Sequence, residues 1–457
     1  MSDAGGPLGS LKGKPVVVFG LGRFGGGAGA ARFLAERGAR VLVTDLREAA
    51  ELPEARKELA GLDLQWRLGE HRHQDLEGAE LVVANPAVPA GSEWLRHARA
   101  GGARITTEIE LFLAFAECPA IGITGTHGKT STATFAVQWI EAAGRTALLG
   151  GNAGGSLLGR VGRFEQDDIA VLELSSYQLE HLGAPPLAAR GLEAAAITCL
   201  GNDHLDRHGG SGGYAAAKRR IAELVRPGGD LWLGGDLEQD PEFSGLSGAR
   251  AASSLDSAGE RLPGAESLLG QLPGFQRQNA ALALDLVGSL GIEIPRPGAP
   301  LRTPPHRLEA LPPLAGLRVL DNAVSTTPES TATALQSLDG PVVLLLGGRS
   351  KGLPLNPLLQ AAQGRVRAAV AFGEAASEFS LALREARISA VRAEDLGAAV
   401  ALSVGLGRPG DTLLFSPAAS SFDGYPNFRE RAAAFRASLD ALRKPAPFHL
   451  RSGDSGL

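Results

Sequence analysis

The sequence predicts an α/β protein of three domains, and three observations lead to this fold class. Short apolar runs alternate with segments of helical periodicity, which is typical of parallel sheets covered by helices. The alternation passes through three cycles, which open with "KPVVVFG", "AIGIT" and "RVLDN". A proline-rich stretch, "IEIPRPGAPLRTPPH", separates the second cycle from the third. We therefore predict domains at residues 1–112, 113–306 and 307–457.

Each cycle supplies its own strands and helices. In the first, strands are expected at "KPVVVFG", "RVLVTD", "AELVVANPAVP" and "RITTEIELF", with a helix at "GGAGAARFLAERG". In the second, they are expected at "AIGIT", "TALLGG", "IAVLELSS", "AAAITCL" and "DLWLGG", with a helix at "TATFAVQWIEAAG". In the third, they are expected at "RVLDN", "PVVLLLGG", "AAVAFG" and "DTLLFSP".

Composition excludes several function classes. The 457 residues carry a net charge of -5, which gives no electrostatic reason to expect binding to nucleic acid or to a membrane surface. Cys118 and Cys199 both lie in apolar segments, so we expect buried thiols, with neither a disulfide nor a metal site. The N-terminus lacks the apolar core of a signal peptide, and no run of eighteen apolar residues occurs. We expect a cytoplasmic protein.

A first glycine loop follows the first predicted strand. In "VVVFGLGRFG" the glycines are Gly20, Gly22 and Gly25, the spacing of a loop that approaches a pyrophosphate at a helix N-terminus. Asp45 ends the next strand, where an acid can reach a ribose hydroxyl. A nicotinamide dinucleotide is one candidate ligand. Strand–glycine–helix turns are common, so the loop alone also permits a purely structural turn.

A second loop, "GITGTHGKTST", follows the strand that opens the second cycle. Its Gly128, Lys129 and Thr130 match the end of a P-loop, in which lysine meets the terminal phosphates and threonine binds Mg²⁺. The standard pattern requires glycine where Ile123 stands, so the loop is a variant. Its position between a strand and a helix is the context that phosphate binding requires. We predict a nucleotide site here.

Further polar residues follow neighbouring strands of the second cycle. Glu173 ends "AVLELSSYQLEHL", where a Mg²⁺ ligand belongs in a sheet of this kind, although an acid capping a helix is the alternative. His204 lies in "DHLDRH" after another strand, where a metal or phosphate role is favoured over a solvated turn. Lys218 lies downstream on a predicted helix, where a surface lysine would be the default interpretation.

These loops belong to a longer series of motifs that spans almost the whole chain. The series comprises "TGTHGKTS" (124–131), "GGNAG" (150–154), "ELSSYQLE" (173–180), "DHLDRH" (203–208), "YAAAKRRI" (214–221), "PHRLE" (305–309), "TTPEST" (326–331), "GGRSKG" (347–352) and "SPAASSFDGYPNFRER" (416–431). In composition and order it resembles the Mur ligase family, the ATP-dependent amide ligases of peptidoglycan precursor synthesis. Within the family, the motifs are most similar to those of members that add D-glutamate to UDP-N-acetylmuramoyl-L-alanine.

The resemblance implies a Rossmann-like N-terminal domain that binds the UDP-substrate, a central P-loop-type ATPase domain, and a Rossmann-like C-terminal domain that binds the amino acid. It implies ATP and two Mg²⁺ ions, with Lys218 carbamylated, and a monomer. The implied catalytic residues are Lys129, Glu173, His204 and Lys218, and the implied metal ligands are Thr130, Glu173, His204 and Lys218. The remaining implied contacts are Gly125, Thr126, Gly128, Lys129, Thr130, Ser131, Asn279 and Arg307 for ATP; Gly20, Gly22, Asp45, Arg47 and Asn152 for the UDP-substrate; and Thr326, Lys351, Ser416 and Phe422 for the amino acid.

Four positions depart from the family pattern. His127 stands where the D-glutamate-adding members usually have asparagine, and Phe275-Gln276 replaces a His-Asn pair. The usual Asp-Ser-Lys reads Asn322-Ala323-Val324, which removes a lysine expected near phosphates. The usual Ser-Pro-Gly of the first domain reads Asn85-Pro86-Ala87. One lost charge-assisted contact costs about 1.5–3 kcal/mol, which slows an enzyme without abolishing its activity.

Three alternatives remain open. A Mur-type ligase could add L-glutamate or L-alanine instead, or act on a different UDP-sugar. An NAD(P)-dependent oxidoreductase would use the first glycine loop. A nucleotide-binding inactive relative would explain Val324 and Phe275. In a ligase, the third domain has to move onto the second, with a hinge expected near residues 296–306.

Overall fold

The fold comes from a computed structural model that describes residues 8–22, 25–183, 187, 190–201, 205–252, 262, 265–270, 272, 274–294 and 300–443. The chain divides into two compact units, Met1–Leu272 with Gln276–Leu301, and Pro273–Phe275 with Arg302–Leu457. The first unit holds two sheets and the second unit holds one.

The first sheet is parallel, with strand order β3-β2-β1-β4-β5. Its strands are β1 (Pro15–Phe19), β2 (Arg40–Asp45), β3 (Leu64–Leu68), β4 (Leu81–Ala84) and β5 (Arg104–Thr106), and its helices are α1 (Gly26–Glu36), α2 (Pro53–Glu58), α3 (Glu93–Ala100) and α4 (Glu108–Phe115). The strand order reverses between β1 and β4. In open α/β sheets, ligands bind at the carboxyl ends of the strands at such a reversal.

The second sheet is also parallel, with order β11-β10-β9-β6-β8-β7. Its strands are β6 (Ala120–Thr124), β7 (Thr146–Gly151), β8 (Asp168–Glu173), β9 (Leu192–Ile197), β10 (Val225–Leu233) and β11 (Ala249–Ala251). The helices are α5 (Lys129–Ala142), α6 (Ser176–Glu180), α7 (Leu205–His208), α8 (Ser211–Arg219), α9 (Pro241–Ser244), α10 (Ala265–Leu269) and α11 (Gly274–Gly288). Since β6 lies between β8 and β9, the loop after β6 is flanked by the loops after both.

The third sheet has order β12-β13-β17-β14-β15-β16, in which β12 runs antiparallel to β13 and the other pairs are parallel. Its strands are β12 (Glu309–Leu314), β13 (Leu317–Asp321), β14 (Val342–Gly347), β15 (Val366–Phe372), β16 (Ala390–Arg392) and β17 (Thr412–Phe415). The helices are α12 (Pro328–Gln336), α13 (Asn356–Ala362), α14 (Ala376–Glu385), α15 (Leu396–Leu406) and α16 (Phe428–Arg443). Short 3₁₀ helices in the first unit cover Ala49–Glu51, His73–Leu76, Leu158–Arg160, Arg220–Leu224 and Gly235–Gln239.

The central strands are buried on both faces, which is why they appear in the sequence as continuous apolar runs. Every residue of β6, β8 and β14 is buried. Polar side chains start several of the helices that cover the sheets. Ser175 and Thr327 cap α6 and α12, each within a reciprocal capping box. Local sequence therefore sets both the strands and the helix starts.

The predicted fold class is confirmed, and the strands that the apolar pattern missed share one property. They are β3, β11, β12 and β16, and each lies at an edge of its sheet. An edge strand is only partly covered, so it lacks the continuous apolar run of a central strand. The run "RITTEIELF" is a strand only over Arg104–Thr106, because Thr107 caps α4. The three sheets lie within the three predicted domain ranges, whose bounds stay a prediction.

Among the described residues, no helix combines the length and the apolar character needed to cross a bilayer.

Glu108, the first residue of α4, lies between α1 and the loop after β7. Its Oε1 accepts a hydrogen bond of 2.5 Å from the Ser156 hydroxyl. Its Cγ lies 3.9 Å from the place that a Cβ on Gly26 would take, so glycine at that position lets the carboxyl approach the first turn of α1. Burial raises the pKa of Glu108 to about 7, and the hydrogen bond from Ser156 opposes this only in part. The folded protein therefore holds a carboxyl that titrates near neutrality.

We predict that Glu108→Gln stabilises the protein more at pH 8 than at pH 5. The folded protein keeps the Glu108 proton between the ordinary pKa of 4.5 and about 7, whereas the unfolded chain releases it, so wild-type stability falls as pH rises through this window. Glutamine does not titrate and can still accept from Ser156. The gain at pH 8 should be about 1–3 kcal/mol.

Urea unfolding followed by tryptophan fluorescence measures this effect, because all four tryptophans lie in the first unit. Glu77→Gln, at an exposed position, serves as the matched control. An equal gain at both pH values would contradict an ionisable origin.

Candidate active site

The second glycine loop, residues 125–128, joins β6 to α5. At its first and last positions the backbone has a conformation that favours glycine. Gly125 has φ 144° and Gly128 has φ 84°. A Cβ on Gly125 would overlap the Thr198 hydroxyl, and one on Gly128 would come 2.5 Å from Asn279 Oδ1. Gly128 also occupies the N-cap of α5, where no side chain caps the helix. The loop therefore leads into a helix N-terminus whose backbone N–H groups and positive dipole end are not capped by a side chain, as phosphate binding requires.

Lys129 lies over this loop. Its Nζ donates to the carbonyl oxygens of Gly125 at 2.8 Å and Thr126 at 3.0 Å. Ser131 is buried two residues further along α5, and Thr130 lies between them in the first turn. The ammonium group is therefore positioned at the helix N-terminus, where the phosphates of a nucleotide would bind.

Lys218 on α8 reaches the same loop from the opposite side. It is 1% exposed, and its Nζ donates to the Gly125 carbonyl at 2.7 Å. The Nζ lies 4.7 Å from the ring centroid of Tyr214, whose hydroxyl donates to Thr126 Oγ1 at 3.2 Å. The default interpretation of Lys218 as a surface lysine is thus wrong, because α8 packs this face of the helix against the loop.

Glu173 ends β8, directly beside β6. One carboxylate oxygen, Oε1, accepts from Asn152 Nδ2 at 2.9 Å, which brings together two residues that lie in separate motifs. The other oxygen, Oε2, is buried and has no hydrogen-bond partner among the described residues. Leaving a buried carboxylate oxygen unpaired is costly. A hydroxyl such as that of Thr130, in the first turn of α5, and this carboxylate oxygen are ligand types that suit a divalent cation.

The predicted metal ligand His204 lies outside the described residues, as does Asp203. The helix that follows them, α7, is described and joins two motifs. His208 Nε2 lies 3.1 Å from the Ser176 hydroxyl of α6, and the His208 ring lies 5.5 Å from that of Tyr214. The described end of the "DHLDRH" motif, at His208, therefore contacts the "ELSSYQLE" motif at Ser176.

Asn279 on α11 contacts the glycine loop through its side chain, as the closeness of Oδ1 to Gly128 shows. Its Nδ2 donates to Gln276 Oε1 at 3.3 Å, and Gln276 is fully buried. Gln276 is one of the departures from the family pattern, so the substituted residue orients the retained asparagine. Arg307 belongs to the second unit, where its backbone N–H donates to Pro304.

The first glycine loop follows β1 at the reversal of strand order. Gly20 and Gly22 have φ of 85° and 70°. A Cβ on Gly20 would come 3.0 Å from the Asn85 side chain, and one on Gly22 would overlap it. Asn85 begins the loop after β4, so the two loops that flank the reversal are in contact.

Asp45 is fully engaged within the protein. Its oxygens accept from the Leu21 amide at 2.9 Å and from the Arg47 amide and guanidinium at 2.9–3.0 Å. Arg47 also donates to the Gly22 carbonyl at 3.0 Å. Burial would raise the pKa of Asp45, but these hydrogen bonds outweigh it and hold the pKa below its ordinary value. With about four acceptor sites on a carboxylate, none is left for a ribose hydroxyl. Asp45 instead fixes Arg47 and the loop.

In the second unit, the four predicted amino-acid residues follow the adjacent parallel strands β13, β17 and β14, with Ser416 and Phe422 both after β17. Lys351 Nζ donates to Thr326 Oγ1 at 3.1 Å, so the structure brings these two together. Burial and the nearby Arg431 lower the pKa of Lys351. Ser416 is fully buried, and its hydroxyl bonds to Thr331 at 2.8 Å and to Asn322 Nδ2 at 3.1 Å. Phe422 is 64% exposed.

The burial of Ser416 changes what it can do. The Ser416 hydroxyl is enclosed by Asn322 and Thr331 and holds the segment after β13 in place. In this buried position the hydroxyl does not contact a ligand directly. Asn322 is a second departure from the family pattern. Its Nδ2 donates to both Ser325 and Ser416, which an aspartate could not do. Val324 is half-buried, and its backbone N–H reaches the His306 carbonyl at 3.4 Å.

Arg431 is a site-supporting residue that the sequence reasoning missed. It is fully buried on α16 and donates to the carbonyls of Gly347, Ala419 and Ser420 at 3.0–3.1 Å. These carbonyls belong to the loops that carry Lys351 and Phe422. Burial lowers the pKa of Arg431 to about 10. The sequence does contain one indication that Arg431 is buried. Residues 431, 435 and 439 recur every four positions, which places Arg431 on the apolar face of the helix.

A group of acidic and imidazole side chains in the second unit is not a metal site. The ligand atoms of His306, Glu309 and Asp321 lie within 4.8 Å of one another. Arg436, however, donates to Glu309 Oε2 at 2.5 Å and to Asp321 Oδ2 at 2.8 Å. Its guanidinium occupies the centre of the group and neutralises the carboxylates.

His127, a third departure, is exposed, and its backbone bonds to the residues after β9. The His127 amide donates to Cys199 Sγ at 3.4 Å, and the carbonyl accepts from Thr198. Cys118 is buried, as expected, whereas Cys199 is only half-buried, so the expectation of a buried thiol is wrong for Cys199. The exchange of asparagine for histidine therefore leaves these loop contacts in place.

Residues 123–243 match the family model of the Mur ligase middle domain, and residues 14–107 match that of the Mur ligase MurD-like N-terminal domain. The UDP-N-acetylmuramoylalanine–D-glutamate ligase of Roseiflexus sp. is 36% identical over 94% of this chain and 99% of the relative. That of Geobacter metallireducens is 34% identical over 94% and 98%.

Solved structures share the fold. The MurF ligase of Thermotoga maritima in complex with ADP aligns with TM-score 0.54 at 13% identity, over 89% of this chain and 96% of that one. The UDP-N-acetylmuramate-alanine ligase MurC of the same organism aligns with TM-score 0.52 at 17% identity, over 93% and 99%. At these identities the likeness is one of fold alone.

We predict that Gly125→Ala weakens ATP binding by more than about a hundredfold, because the new Cβ would displace Thr198 and the loop with it. The matched control is Gly144→Ala, which also has positive φ, 73°, but open space around its Cβ position. The control should lose about 1 kcal/mol of stability and keep its affinity. Titration with a fluorescent ATP analogue measures both, and equal affinity in the two variants would show that the close approach is unimportant.

Proposed function

The chain belongs to the Mur ligase family, and we propose that it joins D-glutamate to the alanyl carboxylate of UDP-N-acetylmuramoyl-L-alanine, using ATP. The observation that carries the proposal is the match, at 31–36% identity over 94% of the chain, to four curated ligases of that name. The reaction belongs to peptidoglycan precursor synthesis. We further propose that the protein acts as a cytoplasmic monomer.

ATP would be held by the loop that ends in Gly128. In this proposal the amides of Gly125 and Gly128 and the Lys129 ammonium bind the phosphates, while Thr126 and Ser131 support the loop. Asn279, already against Gly128, and Arg307 of the second unit would contact the rest of the nucleotide. The contribution of these groups is to position the γ-phosphoryl group and to neutralise its charge, which is the main requirement of phosphoryl transfer.

Two Mg²⁺ ions are proposed to assist at this edge of the second sheet, where they would neutralise phosphate charge. Thr130 and Glu173 would hold one ion, which fits the unpaired Oε2 of Glu173. His204 and a carbamylated Lys218 would serve the other. Asn152 keeps Glu173 Oε1 occupied and so directs the free oxygen.

The UDP-substrate would bind at the strand-order reversal of the first sheet. Gly20 and Gly22 allow the backbone to approach its diphosphate, and Arg47 supplies a cation held in place by Asp45. A nicotinamide dinucleotide fits less well, since Asp45 has no acceptor free for a ribose diol. The incoming amino acid would be held by Lys351, Thr326 and Phe422, with Ser416 supporting them from the interior.

The residues present suffice for an acyl-phosphate route. A carboxylate is a poor electrophile, so the γ-phosphoryl group is transferred to the alanyl carboxylate to give an acyl phosphate. The free amine of D-glutamate then attacks the acyl carbon, and phosphate leaves from the tetrahedral intermediate. An amine is itself the nucleophile, so the protein needs no covalent intermediate, and the Lys129 ammonium and loop amides stabilise the charge on the leaving phosphate.

The test is phosphate release from ATP and Mg²⁺ in the presence of UDP-N-acetylmuramoyl-L-alanine, with D-glutamate, L-glutamate, L-alanine or no acceptor. We expect release that depends on D-glutamate. Release with another acceptor would keep the mechanism and change the specificity. ATP binding without release would support an inactive relative and assign a decisive role to the lysine that Val324 replaces.

We also predict that activity depends on bicarbonate through Lys218. A carbamate on the buried Nζ would replace a cation by an anion next to the Mg²⁺ ligands. Stripping CO₂ should lower activity severalfold and adding bicarbonate should restore it. Lys218→Arg should be about a hundredfold slower and insensitive to bicarbonate. The exposed Lys57→Arg is the control, and a ¹³C-carbamate signal that persists in Lys218→Arg would contradict the assignment.

A further inference from the structure

Arg207 on α7 binds a stretch of backbone in the first sheet's domain although it belongs to the second. Its guanidinium donates to the carbonyl oxygens of Pro86 at 3.1 Å, Ala87 at 2.9 Å and Val88 at 2.8 Å. All three carbonyls lie in the loop after β4. No other residue type offers five donors in a rigid planar fork, so arginine suits this backbone array.

The other side of Arg207 is held by α6. Its Nε donates to Glu180 Oε2 at 3.2 Å, and its guanidinium carbon lies 4.8 Å from the ring centroid of Tyr177. His181 adds a second anchor, since its Nε2 lies 2.7 Å from the Val88 carbonyl. Because a carbonyl oxygen only accepts, Nε2–H is the donor, and burial lowers the pKa of His181. The loop is thus fixed from two neighbouring elements.

The clamped loop is the one that meets the first glycine loop. Its own turn is closed by hydrogen bonds from Val88 N to the Asn85 carbonyl at 3.0 Å and from Ala87 N to Asn85 Oδ1 at 2.9 Å. The Asn85 side chain lies against Gly20 and Gly22, closer than any Cβ there would allow. A continuous set of contacts therefore runs from α6 through Arg207 and the β4 loop to the first glycine loop.

We propose that Arg207 is a positioning residue for the UDP-substrate, which holds the β4 loop and, through Asn85, the first glycine loop in their binding conformation. The inference rests on the proposed function, because that function assigns the UDP moiety to these loops. Arg207 lies in the same motif as the predicted metal ligand His204. In this proposal one short segment therefore serves both the Mg²⁺ site and the UDP-substrate site. The proposal also explains why the Asn85-Pro86-Ala87 departure leaves this contact intact. Arg207 donates to backbone carbonyls, which every residue type has.

We expect the loss of the Arg207 contacts to weaken binding of the UDP-substrate selectively. If only a fraction of the molecules hold the loop in its binding conformation, the apparent affinity for the UDP-substrate is reduced by that fraction. The chemical step is not altered. Arg207→Lys keeps the charge but cannot donate to three carbonyls and Glu180 together. We expect KM for UDP-N-acetylmuramoyl-L-alanine to rise about tenfold or more, with kcat and the KM values for ATP and D-glutamate within about twofold. The affinity for UDP alone, measured by calorimetry, should fall in parallel.

Arg220→Lys is the matched control. Arg220 also donates to several carbonyls, those of Leu179, Glu180, Leu182 and Gly183, but all of them belong to the second domain. Arg220→Lys should lower the thermal midpoint of unfolding about as much as Arg207→Lys does, and should leave the UDP affinity unchanged. Equal losses of UDP affinity in the two variants would overturn the proposal and indicate general destabilisation.

Glu180→Gln provides a second variant if Arg207→Lys does not fold, because it removes the charged partner of Arg207 and leaves the carbonyl contacts intact. We expect a smaller increase in the same KM, about threefold. Unchanged UDP affinity in both variants would overturn the inference. A wild-type enzyme that releases no phosphate with any acceptor would instead be a failure of the proposed function, which the assay without substitutions detects first.

Discussion

Two lysine ammonium groups donate to one backbone carbonyl, that of Gly125, at 2.8 Å from Lys129 and 2.7 Å from Lys218. The carbonyl lies at the end of β6, where the chain turns into α5. Two cations and a helix N-terminus at one point create a strongly positive potential inside the protein. The turn holds them there because Gly125 and Gly128 fit closely against Thr198 and Asn279. In the proposed chemistry Lys129 and the helix N-terminus keep this charge for the phosphates, whereas carbamylation would convert Lys218 into an anion that serves a Mg²⁺ ion.

One acidic side chain, Glu173, lies beside that charge at the end of the neighbouring strand β8. Glu173 is buried next to the loop, with one oxygen paired to Asn152 and the other unpaired among the described residues. A carboxylate would be unstable in such a place without nearby positive charge. The parallel order of the second sheet brings the loop after β6 and the end of β8 to the same edge. Sheet order, more than any single motif, therefore assembles the site.

Two arginines, the buried Arg431 and the partly buried Arg207, support loops that the proposed reaction uses. Arg431 holds the two loops of the second unit that carry Lys351 and Phe422, and Arg207 holds the loop after β4 in the first. Each donates to three backbone carbonyls at or beyond the end of a strand. A planar guanidinium satisfies several at once at fixed angles. Loops that must present backbone groups to a ligand are made rigid in this way.

The sequence by itself determined the fold class, the central strands and the two glycine loops. These depend on local properties: apolar runs for strands covered on both faces, and glycine spacing for turns with positive φ. The edge strands β3 and β12 did not follow from sequence, because partial exposure removes the apolar signal. Tertiary structure alone decided that Ser416 is enclosed, that Asp45 has no free acceptor, and that Lys218 is buried against the loop. The partners of a side chain depend on which strands become neighbours, and no spacing along the chain encodes that order.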